Sequence, residues 1–369
     1  MSHCLLELPI DFPAIGLDPG PGSSLTIPRE MDKTVTVAPR KRSLKALVTG
    51  AAGFIGSHLV EALLQRGVQV RCLVRPTSHL KWVQGLPVEI IYGDCQEKDS
   101  LGPGVKDVDL VFHLAGVTRA IEAKTYFEVN ALGTENLVQA CLEHNTRLQK
   151  FIYLSSLAAA GPGRNGGEKK ESDHCAPVSP YGRSKLQGEE LALSRAHELP
   201  LLILRPSAVY GPRDKAFLAL FQCLAKRIKP SVSGGVRHLS LCSVQDLVGA
   251  ILLAAESRTK TGEIFFLSDG QDYRMEEIND IFAQAMEVTA FRLRLPPAVL
   301  FGMAAVAEYF SKVSGKPALI SRGKAAEMIQ SNWLCDITKA RTLLGFEPQI
   351  SLALGAKLTC DWYRKENWL

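Results

Sequence analysis

The stretch LVTGAAGFIGSHL, residues 47–59, decides the fold, because it places Gly50, Gly53 and Gly56 within seven positions between two apolar runs. The run LKALV before it is typical of a buried strand, and FIGSHLVEALLQRG after it has the apolar spacing of a helix that ends at Gly67. The glycines therefore lie on a strand-to-helix turn, where backbone N–H groups at a helix N-terminus hold a pyrophosphate. The alternative is a glycine-rich turn that binds no ligand, and the spacing G-x-x-G-x-x-G is less common than G-x-G-x-x-G.

The three glycines are expected to serve three different purposes. Gly50 permits the tight turn, Gly53 lets backbone N–H groups approach a phosphate, and Gly56 lets the helix pack close to the strand. The candidate cofactor-binding residues of this turn are Gly50, Gly53, Phe54, Ile55 and Gly56. The turn by itself predicts a dinucleotide site and leaves the reaction open.

Apolar runs alternate with helical stretches from Leu44 onward. The strand candidates are LKALVTG, VQVRCLV, VEIIYG, VDLVFHLAG, KFIYLSS, PLLILRP and EIFFLS. Helices are predicted at about 54–66, 119–145, 181–198, 214–226 and 245–257, and later near 275–287, 296–313, 321–330, 336–344 and 351–366. This alternation predicts an α/β fold: a Rossmann-type doubly wound parallel sheet with a smaller, mostly helical C-terminal substrate-binding part.

The chain is accordingly divided into three parts. Residues 1–42, with many prolines and no sustained period, are interpreted as a flexible N-terminal extension. Residues 43–270 form the predicted dinucleotide-binding domain, with an excursion into the substrate-binding part at about 206–240. Residues 271–369 form the predicted substrate-binding or lid region, expected over the carboxyl ends of the strands because ligands of doubly wound sheets bind there.

Composition and charge exclude several classes of function. The net charge is +5 and the only tight basic run is Arg40-Lys41-Arg42, so we expect no nucleic-acid partner. The nine cysteines include no CxxC pair, a pattern typical of reduced thiols in a cytoplasmic protein rather than of disulfides or a metal site. We see no secretory signal and no apolar run long enough for a transmembrane segment, and we expect a cytoplasmic location.

The end of the second strand indicates the type of cofactor. An NAD site usually has an acidic residue there for the ribose 2′-OH, whereas VRCLVRP offers Val74 followed by Arg75. A guanidinium suits a 2′-phosphate by charge and geometry, so Arg75 favours NADP. The alternative is that Arg75 is only solvated and that the protein accepts NAD as well.

Two further stretches carry candidate catalytic groups. In SPYGRSKLQGEEL, Tyr181 and Lys185 lie four residues apart and therefore on one face of a predicted helix. A lysine one turn away is expected to lower the pKa of the phenol, which is otherwise about 10, and to bind the cofactor ribose. In KFIYLSSLAAAG, Ser155 and Ser156 follow a strand, where one hydroxyl would bind the substrate oxygen; alternatively, both only satisfy backbone groups.

Together these motifs resemble a known family. The glycine turn, then YGD, FHLAG, VNALGTENLV, YLSS, YGRSK and RPSAVYGP occur in the order found in extended short-chain dehydrogenase/reductases, over residues 45 to 369. The resemblance implies a catalytic set of Ser156, Tyr181 and Lys185, and Ser156 is preferred to Ser155 because it precedes Tyr181 by the family's usual 25 residues.

The same resemblance implies further site residues. Asn130 matches an asparagine that steadies the active-site helix and a proton-relay water, and Asp94 matches a residue that contacts the adenine. The loop beside the cofactor is matched by Leu114, Ala115 and Gly116, and Tyr181 and Lys185 also contact the cofactor. Family members often form homodimers through two long helices, here roughly 119–145 and 181–198.

Two departures from the pattern bear on the substrate. Sugar-nucleotide members usually carry an asparagine where this chain has Ser207-Ala208, and an arginine seven residues before the aspartate that is Asp246 here, where this chain has Leu239. Arg237 lies two residues away, so the second loss is incomplete. Arg75 and the C-terminal stretch GFEPQISLALGAKLTCDWYR look more like the branch of 3β-hydroxysteroid dehydrogenases and dihydroflavonol reductases.

The sequence therefore predicts an NAD(P)-dependent oxidoreductase, NADP preferred, that moves hydride between the cofactor and a secondary alcohol or ketone. The expected substrate is a small apolar molecule resembling a steroid or flavonol. The apolar helix at 296–310 would cover such a substrate or contact a membrane surface peripherally, and simple core packing explains it as well. The alternatives are an NAD-dependent nucleotide-sugar epimerase or dehydratase, and a non-catalytic cofactor-sensing scaffold.

Overall fold

The computed structural model describes residues 43–163 and 166–369 of the 369-residue chain. The predicted extension, residues 1–42, lies outside the described residues. In the described part, the strands are β1 (Lys45–Thr49), β2 (Gln69–Val74), β3 (Glu89–Tyr92), β4 (Leu110–His113), β5 (Lys150–Leu154), β6 (Leu201–Pro206), β7 (Ala208–Tyr210), β8 (Ile228–Val232), β9 (His238–Leu239), β10 (Leu241–Ser243), β11 (Glu263–Leu267), β12 (Tyr273–Arg274), β13 (Phe291–Leu295) and β14 (Asn332–Trp333).

Helices connect these strands. They are α1 (Phe54–Gln65), α2 (Gly102–Val105), α3 (Ala123–Phe127), α4 (Gly133–His144), α5 (Leu157–Ala160), α6 (Pro180–Leu193), α7 (Leu218–Ala225), α8 (Val244–Glu256), α9 (Met275–Met286), α10 (Pro297–Ser314), α11 (Arg322–Met328), α12 (Thr338–Leu344) and α13 (Leu352–Lys365). A 3-10 turn lies at Lys98–Ser100 and a π-helical turn at Glu128–Leu132.

All seven strands expected from the apolar runs form one parallel sheet in the order β11-β6-β5-β4-β1-β2-β3. The order reverses between β1 and β4, because the chain first winds outward through β2 and β3 and then continues on the other side of β1. This is a doubly wound Rossmann-type sheet, and its ligand-binding crevice is expected at this switch point. The prediction of the fold class is confirmed.

The core consists of one apolar layer on each face of the sheet. Along β1, Ala46 and Val48 face one layer and Leu47 faces the other, because successive side chains of a strand alternate. Helices α1, α8 and α12 cover the first face, and α2, α4 and α6 cover the second. Burial on both faces explains why the central strands β1, β4, β5 and β6 are largely apolar, whereas β3 at the edge of the sheet is half-exposed.

Serine side chains define the starts of several helices. In each case the hydroxyl of the N-cap residue accepts a hydrogen bond from a backbone N–H of the first turn, which would otherwise be unpaired. The capping residues are Ser156 (α5), Ser179 (α6), Ser243 (α8), Ser321 (α11) and Ser351 (α13). Two of these caps, at α5 and α6, lie in the candidate site.

The structure corrects two expectations about secondary structure. The single helix predicted at 119–145 starts at Ala123 and is interrupted by the π-helical turn at Glu128–Leu132. The region after residue 270 is mostly helical as expected, yet it also contains β12, β13 and β14, which pair with β8 and β9. β12 and β14 span two residues each, too few to show a period, whereas β13 (FRLRL) does alternate apolar and basic residues, a strand signal within a region expected to be helical.

Candidate active site

The glycine turn is closed by tight backbone contacts. Gly50 has φ of +69°, and the N–H of Gly53 donates to its carbonyl oxygen over 2.9 Å. A Cβ at Gly50 would lie 2.8 Å from the backbone nitrogen of Ala115, and a Cβ at Gly56 would overlap the carbonyl oxygen of Gly50. Gly56 therefore lies against the turn itself, whereas the sequence led us to expect a close contact between the helix and the strand. The absence of these side chains lets the turn pack tightly at the start of α1, and a helix N-terminus after such a turn suits a bound pyrophosphate.

The loop after β4 lies directly beside this turn. The N–H of Leu114 donates to the backbone oxygen of Thr49 (3.3 Å), and the N–H of Ala115 donates to its hydroxyl (3.1 Å). Gly116 follows, and a Cβ there would lie 2.9 Å from Oδ1 of Asn130. The structure thus brings the predicted cofactor residues of β1 and β4 together at the switch point.

Arg75 and Asp94 lie at the ends of β2 and β3. They line one cavity of about 350 Å³ together with Tyr92, Gly93 and Ser100. Arg75 is exposed, whereas Oδ1 of Asp94 accepts from the N–H of Gln96 over 3.0 Å. The exposed guanidinium is available to an anionic ligand at this edge of the sheet.

Ser156 and Tyr181 form the centre of the site. The hydroxyl of Ser156 accepts from the N–H of Ala158 (3.1 Å) and lies near enough to the phenol of Tyr181 to lower its pKa. Tyr181 lies in the first turn of α6, half-buried. Burial raises the pKa of Tyr181 to about 12, and the hydroxyl of Ser156 opposes that rise. The phenol is therefore protonated at neutral pH.

Lys185 lies one turn further along α6 and is buried. Its Nζ donates to the backbone oxygen of Leu154 over 2.7 Å and lies 4.4 Å from the ring centre of Tyr153. Burial lowers the pKa of Lys185 to about 7, partly opposed by the carboxylate of Glu189. In the cofactor-free protein Ser156 lowers the pKa of Tyr181, and the expected effect of Lys185 on that pKa stays a prediction.

Asn130 ties the loop after β4 to the catalytic helix. Its Oδ1 accepts from the N–H of Val117 (2.8 Å), and its Nδ2 donates to the oxygen of Val117 and to the hydroxyl of Ser184 on α6, both over 3.0 Å. Asn130 is buried within the π-helical turn, a feature often found at functional sites. Its side chain fixes the position of α6 relative to the cofactor loop.

Several residues near the site were not found from the sequence. The carboxylate of Glu327, on α11, accepts from the hydroxyl of Ser179, which caps α6. A Cβ at Gly323 would lie 2.9 Å from Cδ of Pro180, so α11 packs on the start of α6. These contacts join positions about 145 residues apart, and no local pattern announces them.

A buried ion pair holds α6 against the sheet. Arg205, on β6, and Glu189, on α6, are each almost fully buried, and Nε of Arg205 lies 2.9 Å from Oε1 of Glu189. Removal of one partner would leave an unpaired buried charge, which is costly. The pair therefore fixes the helix that carries Tyr181 and Lys185.

Two buried hydroxyls near the site have no partner within the described part of the chain. They belong to Ser155, after β5, and Ser207, after β6. Buried polar groups are normally hydrogen bonded, so an unpaired hydroxyl marks a place where a ligand or water binds.

No cluster of three or more His, Cys, Asp or Glu residues suited to a metal ion occurs in residues 43–163 and 166–369.

The fold and the glycine turn define a dinucleotide-binding α/β enzyme of the extended short-chain dehydrogenase/reductase class. The model of the NAD dependent epimerase/dehydratase family matches residues 46–267, and the chain belongs to that family. It is an enzyme that uses a nicotinamide cofactor for oxidoreductase chemistry.

The relatives include a reductase and a dehydrogenase as well as a protein solved with a nucleotide sugar. The chain is 31% identical to a ceramide reductase of Caulobacter vibrioides over 324 residues, which cover 87% of the chain and 95% of the relative. It is 29% identical to a 3 beta-hydroxysteroid dehydrogenase/Delta 5-->4-isomerase of Mycobacterium tuberculosis over 323 residues, 82% and 86% of the two chains. The solved structure of MoeE5 with UDP-glucuronic acid and NAD superimposes with a TM-score of 0.69 at 26% identity, covering 87% and 99% of the two chains.

No helix among the described residues combines the length and apolar character that crossing a membrane requires.

Proposed function

We propose that the protein is an NADP-preferring ketone reductase, or secondary-alcohol dehydrogenase, with an apolar substrate. The observation that carries this proposal is the position of Ser156 beside the protonated phenol of Tyr181, in a fold whose glycine turn is shaped for a dinucleotide. A nicotinamide cofactor bound at that turn supplies or accepts the hydride. The protein's own residues supply the position and the proton.

Each residue of the catalytic set has a role that follows from its environment. Tyr181, protonated at neutral pH, donates its proton to the oxygen of a ketone and accepts it back from an alcohol. The hydroxyl of Ser156, which lies beside Tyr181, binds the same oxygen. Lys185, with a pKa lowered to about 7, gains stability as a cation when it binds an oxygen-rich or anionic group. Asn130 holds the helix in place.

The environment of Arg237 favours an apolar substrate over a nucleotide sugar. Its guanidinium donates to the backbone oxygens of Val232, Ser233, Gly235 and Met328 and is buried. Four of its five N–H donors are therefore occupied by the protein, so the guanidinium has no pair of donors left for a diphosphate. Arg237 does not replace the arginine whose usual position Leu239 occupies, which supports the reductase.

The exposed Arg75 beside Asp94 supports the preference for NADP. We also propose that residues 271–369, together with the excursion at 206–240, form the substrate-binding part, because β13 pairs with β8 and β14 pairs with β9. The homodimer through the helices flanking the site and the cytoplasmic location stay predictions, testable by light scattering and by fractionation.

Consumption of added NADPH in the presence of apolar ketones tests the reductase. Tyr181→Phe should lower kcat by at least about a hundredfold, because it removes the proton donor, and should leave the Kd for NADPH nearly unchanged. Ser156→Ala should lower kcat less, since Tyr181 remains.

The second candidate is an NAD-dependent nucleotide-sugar epimerase, which the likeness to MoeE5 supports. Mass spectrometry of co-purifying small molecules separates the two. Retained NAD, no net turnover with ketones and conversion of a UDP-sugar would overturn the reductase. Normal function with Tyr181→Phe would instead favour a non-catalytic scaffold.

A further inference from the structure

Helix α10 has apolar side chains on the side that faces away from the protein. Its inner side packs through Leu300 and Ala304 against Val232 and Ala325. Its outer side presents six large apolar or aromatic residues, each 45–72% exposed. They are Val299, Met303, Val306, Tyr309, Phe310 and Val313. We call these six residues the outer face of α10.

The spacing of the outer face shows that it is continuous. Val299, Met303, Val306, Phe310 and Val313 follow one another at intervals of four, three, four and three residues, so they form one stripe along the helix. A surface helix normally carries polar residues on its outer side, and contiguous apolar patches of this kind mark interaction sites. Phe291 and Leu293 of β13, immediately before the helix, are also exposed and extend the apolar surface along the chain.

The charges around this stripe are strongly one-sided. Residues 288–326 contain six Lys or Arg and one acidic residue, Glu308, although Arg292 and Lys324 pair with Asp280 and Glu327 outside this segment. Glu308 is already bound by Arg322. Arg294 before the helix, and Lys312 and Lys316 at its end, make no ion pair with any residue that the structure describes.

From this combination we infer that the outer face of α10 docks the protein on an anionic lipid bilayer. An apolar helix face flanked by unpaired basic residues binds the interface of a membrane by burying the apolar side chains while the cations meet anionic headgroups. A second copy of this chain fits less well, because two such faces would bring the unpaired Arg294, Lys312 and Lys316 of both copies together.

The docked helix is connected to the active site through α11. Arg322 joins α11 to Glu308 of α10, and Glu327 joins α11 to Ser179 at the start of α6. The bilayer surface would thus lie one helix away from the helix that carries Tyr181. This inference concerns the binding surface alone and does not depend on the identity of the substrate.

Co-sedimentation of the full chain with lipid vesicles tests the inference. The protein should sediment with vesicles of phosphatidylcholine and phosphatidylglycerol, sediment far less with phosphatidylcholine alone, and be released by high salt. Val306→Glu/Phe310→Glu should weaken partitioning by more than about tenfold. Arg294→Gln/Lys312→Gln should weaken it by about fivefold for each charge removed.

Matched controls separate a surface effect from misfolding. Leu343→Glu/Leu358→Glu changes two exposed leucines on α12 and α13 and should bind vesicles like the wild type. NADPH binding and the midpoint of thermal unfolding should be unchanged in every variant; if the Glu pair is destabilised, Val306→Ser/Phe310→Ser replaces it.

Three results would overturn the inference. The first is wild-type protein that stays in the supernatant with phosphatidylglycerol vesicles at low salt. The second is sedimentation of Val306→Glu/Phe310→Glu and of Val306→Ser/Phe310→Ser at the level of the wild type. The third is a wild-type dimer, measured by light scattering, that Val306→Glu/Phe310→Glu converts to a monomer, because a second copy would then cover the face.

Discussion

The hydroxyl of Ser179 donates to the carboxylate of Glu327 over 2.5 Å, joining α6 to α11. The same hydroxyl accepts from the N–H of Gly182 and so caps the helix that carries Tyr181. The charge of Glu327 also contributes to the raised pKa of Tyr181. One residue of the C-terminal region therefore acts on both the position and the acidity of the candidate proton donor.

The first prediction concerns this charge. Glu327→Gln keeps an oxygen that accepts from Ser179 but removes the negative charge, so the pKa of Tyr181 falls. Because ketone reduction needs the protonated phenol, the alkaline limb of the kcat–pH profile should move to lower pH. Ser179→Ala is the control: it should cost about 1 kcal/mol of stability and leave the limb in place. An unmoved limb in Glu327→Gln would contradict the coupling.

The second prediction uses the buried amine of Lys185, whose pKa burial lowers to about 7 from its usual 10.5. Between these values the unfolded chain binds a proton that the cofactor-free folded protein does not, so Lys185 makes the free energy of unfolding rise with pH over this window. Below about pH 7 Lys185 is protonated in both the folded and the unfolded chain, so the folded protein bears the full free-energy cost of burying a charged amine. Lys185→Met should therefore remove this rise.

Urea unfolding of the cofactor-free protein near pH 7 and near about pH 9 measures the effect. The stability gained by Lys185→Met should be larger at the lower pH, whereas the exposed Lys226→Met should show no such difference. Equal gains at both values would count against a lowered pKa of Lys185.

The third prediction addresses the glycine turn. Gly56→Ala places a methyl group against the carbonyl oxygen of Gly50 and should displace the turn, weakening NADPH binding by at least about tenfold. Gly249→Ala, in α8, is the matched control, because its Cβ meets no atom within 4 Å, and it should stabilise the protein by about 0.5–1 kcal/mol. Fluorescence titration of both variants tests the idea, and similar Kd values would refute it.

The fourth prediction concerns the choice of cofactor. Arg75→Asp replaces an exposed cation by the carboxylate that suits a free ribose 2′-OH, so the ratio of kcat/KM for NADP to that for NAD should fall by at least about tenfold. Arg258→Asp, at an exposed position without an ion pair among the described residues, serves as the control for a change of charge alone. A ratio that stays constant in Arg75→Asp would show that Arg75 does not recognise the 2′-phosphate.

The sequence is sufficient to predict those elements and site residues whose pattern lies within one short stretch of the chain. The apolar runs that form β1 to β6 and β11 are mostly buried, with β3 at the edge of the sheet as the exception, and such runs have few other interpretations. Ser156, Tyr181 and Lys185 were found because a strand end and a helix start are visible in sequence, and the structure places Ser156 beside Tyr181.

Non-local contacts account for the rest. The link from Glu327 to Ser179 and the occupation of Arg237 by backbone oxygens depend on loops that meet only in three dimensions. The pKa of Lys185 reflects desolvation, which no residue spacing reveals. The effect expected of Lys185 on Tyr181 assumed that four-residue spacing brings the two groups into contact, whereas its amine binds the carbonyl of Leu154.

The π-helical turn at Glu128–Leu132 determines how the side chains after it are rotated about the helix axis relative to those before it. One additional residue rotates everything after it by about 100° relative to an uninterrupted α-helix. Because of this rotation, Tyr126 before the turn meets the ring of Tyr181, while Leu137 and Cys141 after it face the sheet. Deletion of a single residue here would make the helix continuous. The segment before the turn could then not contact the catalytic tyrosine while the segment after it keeps its place in the core.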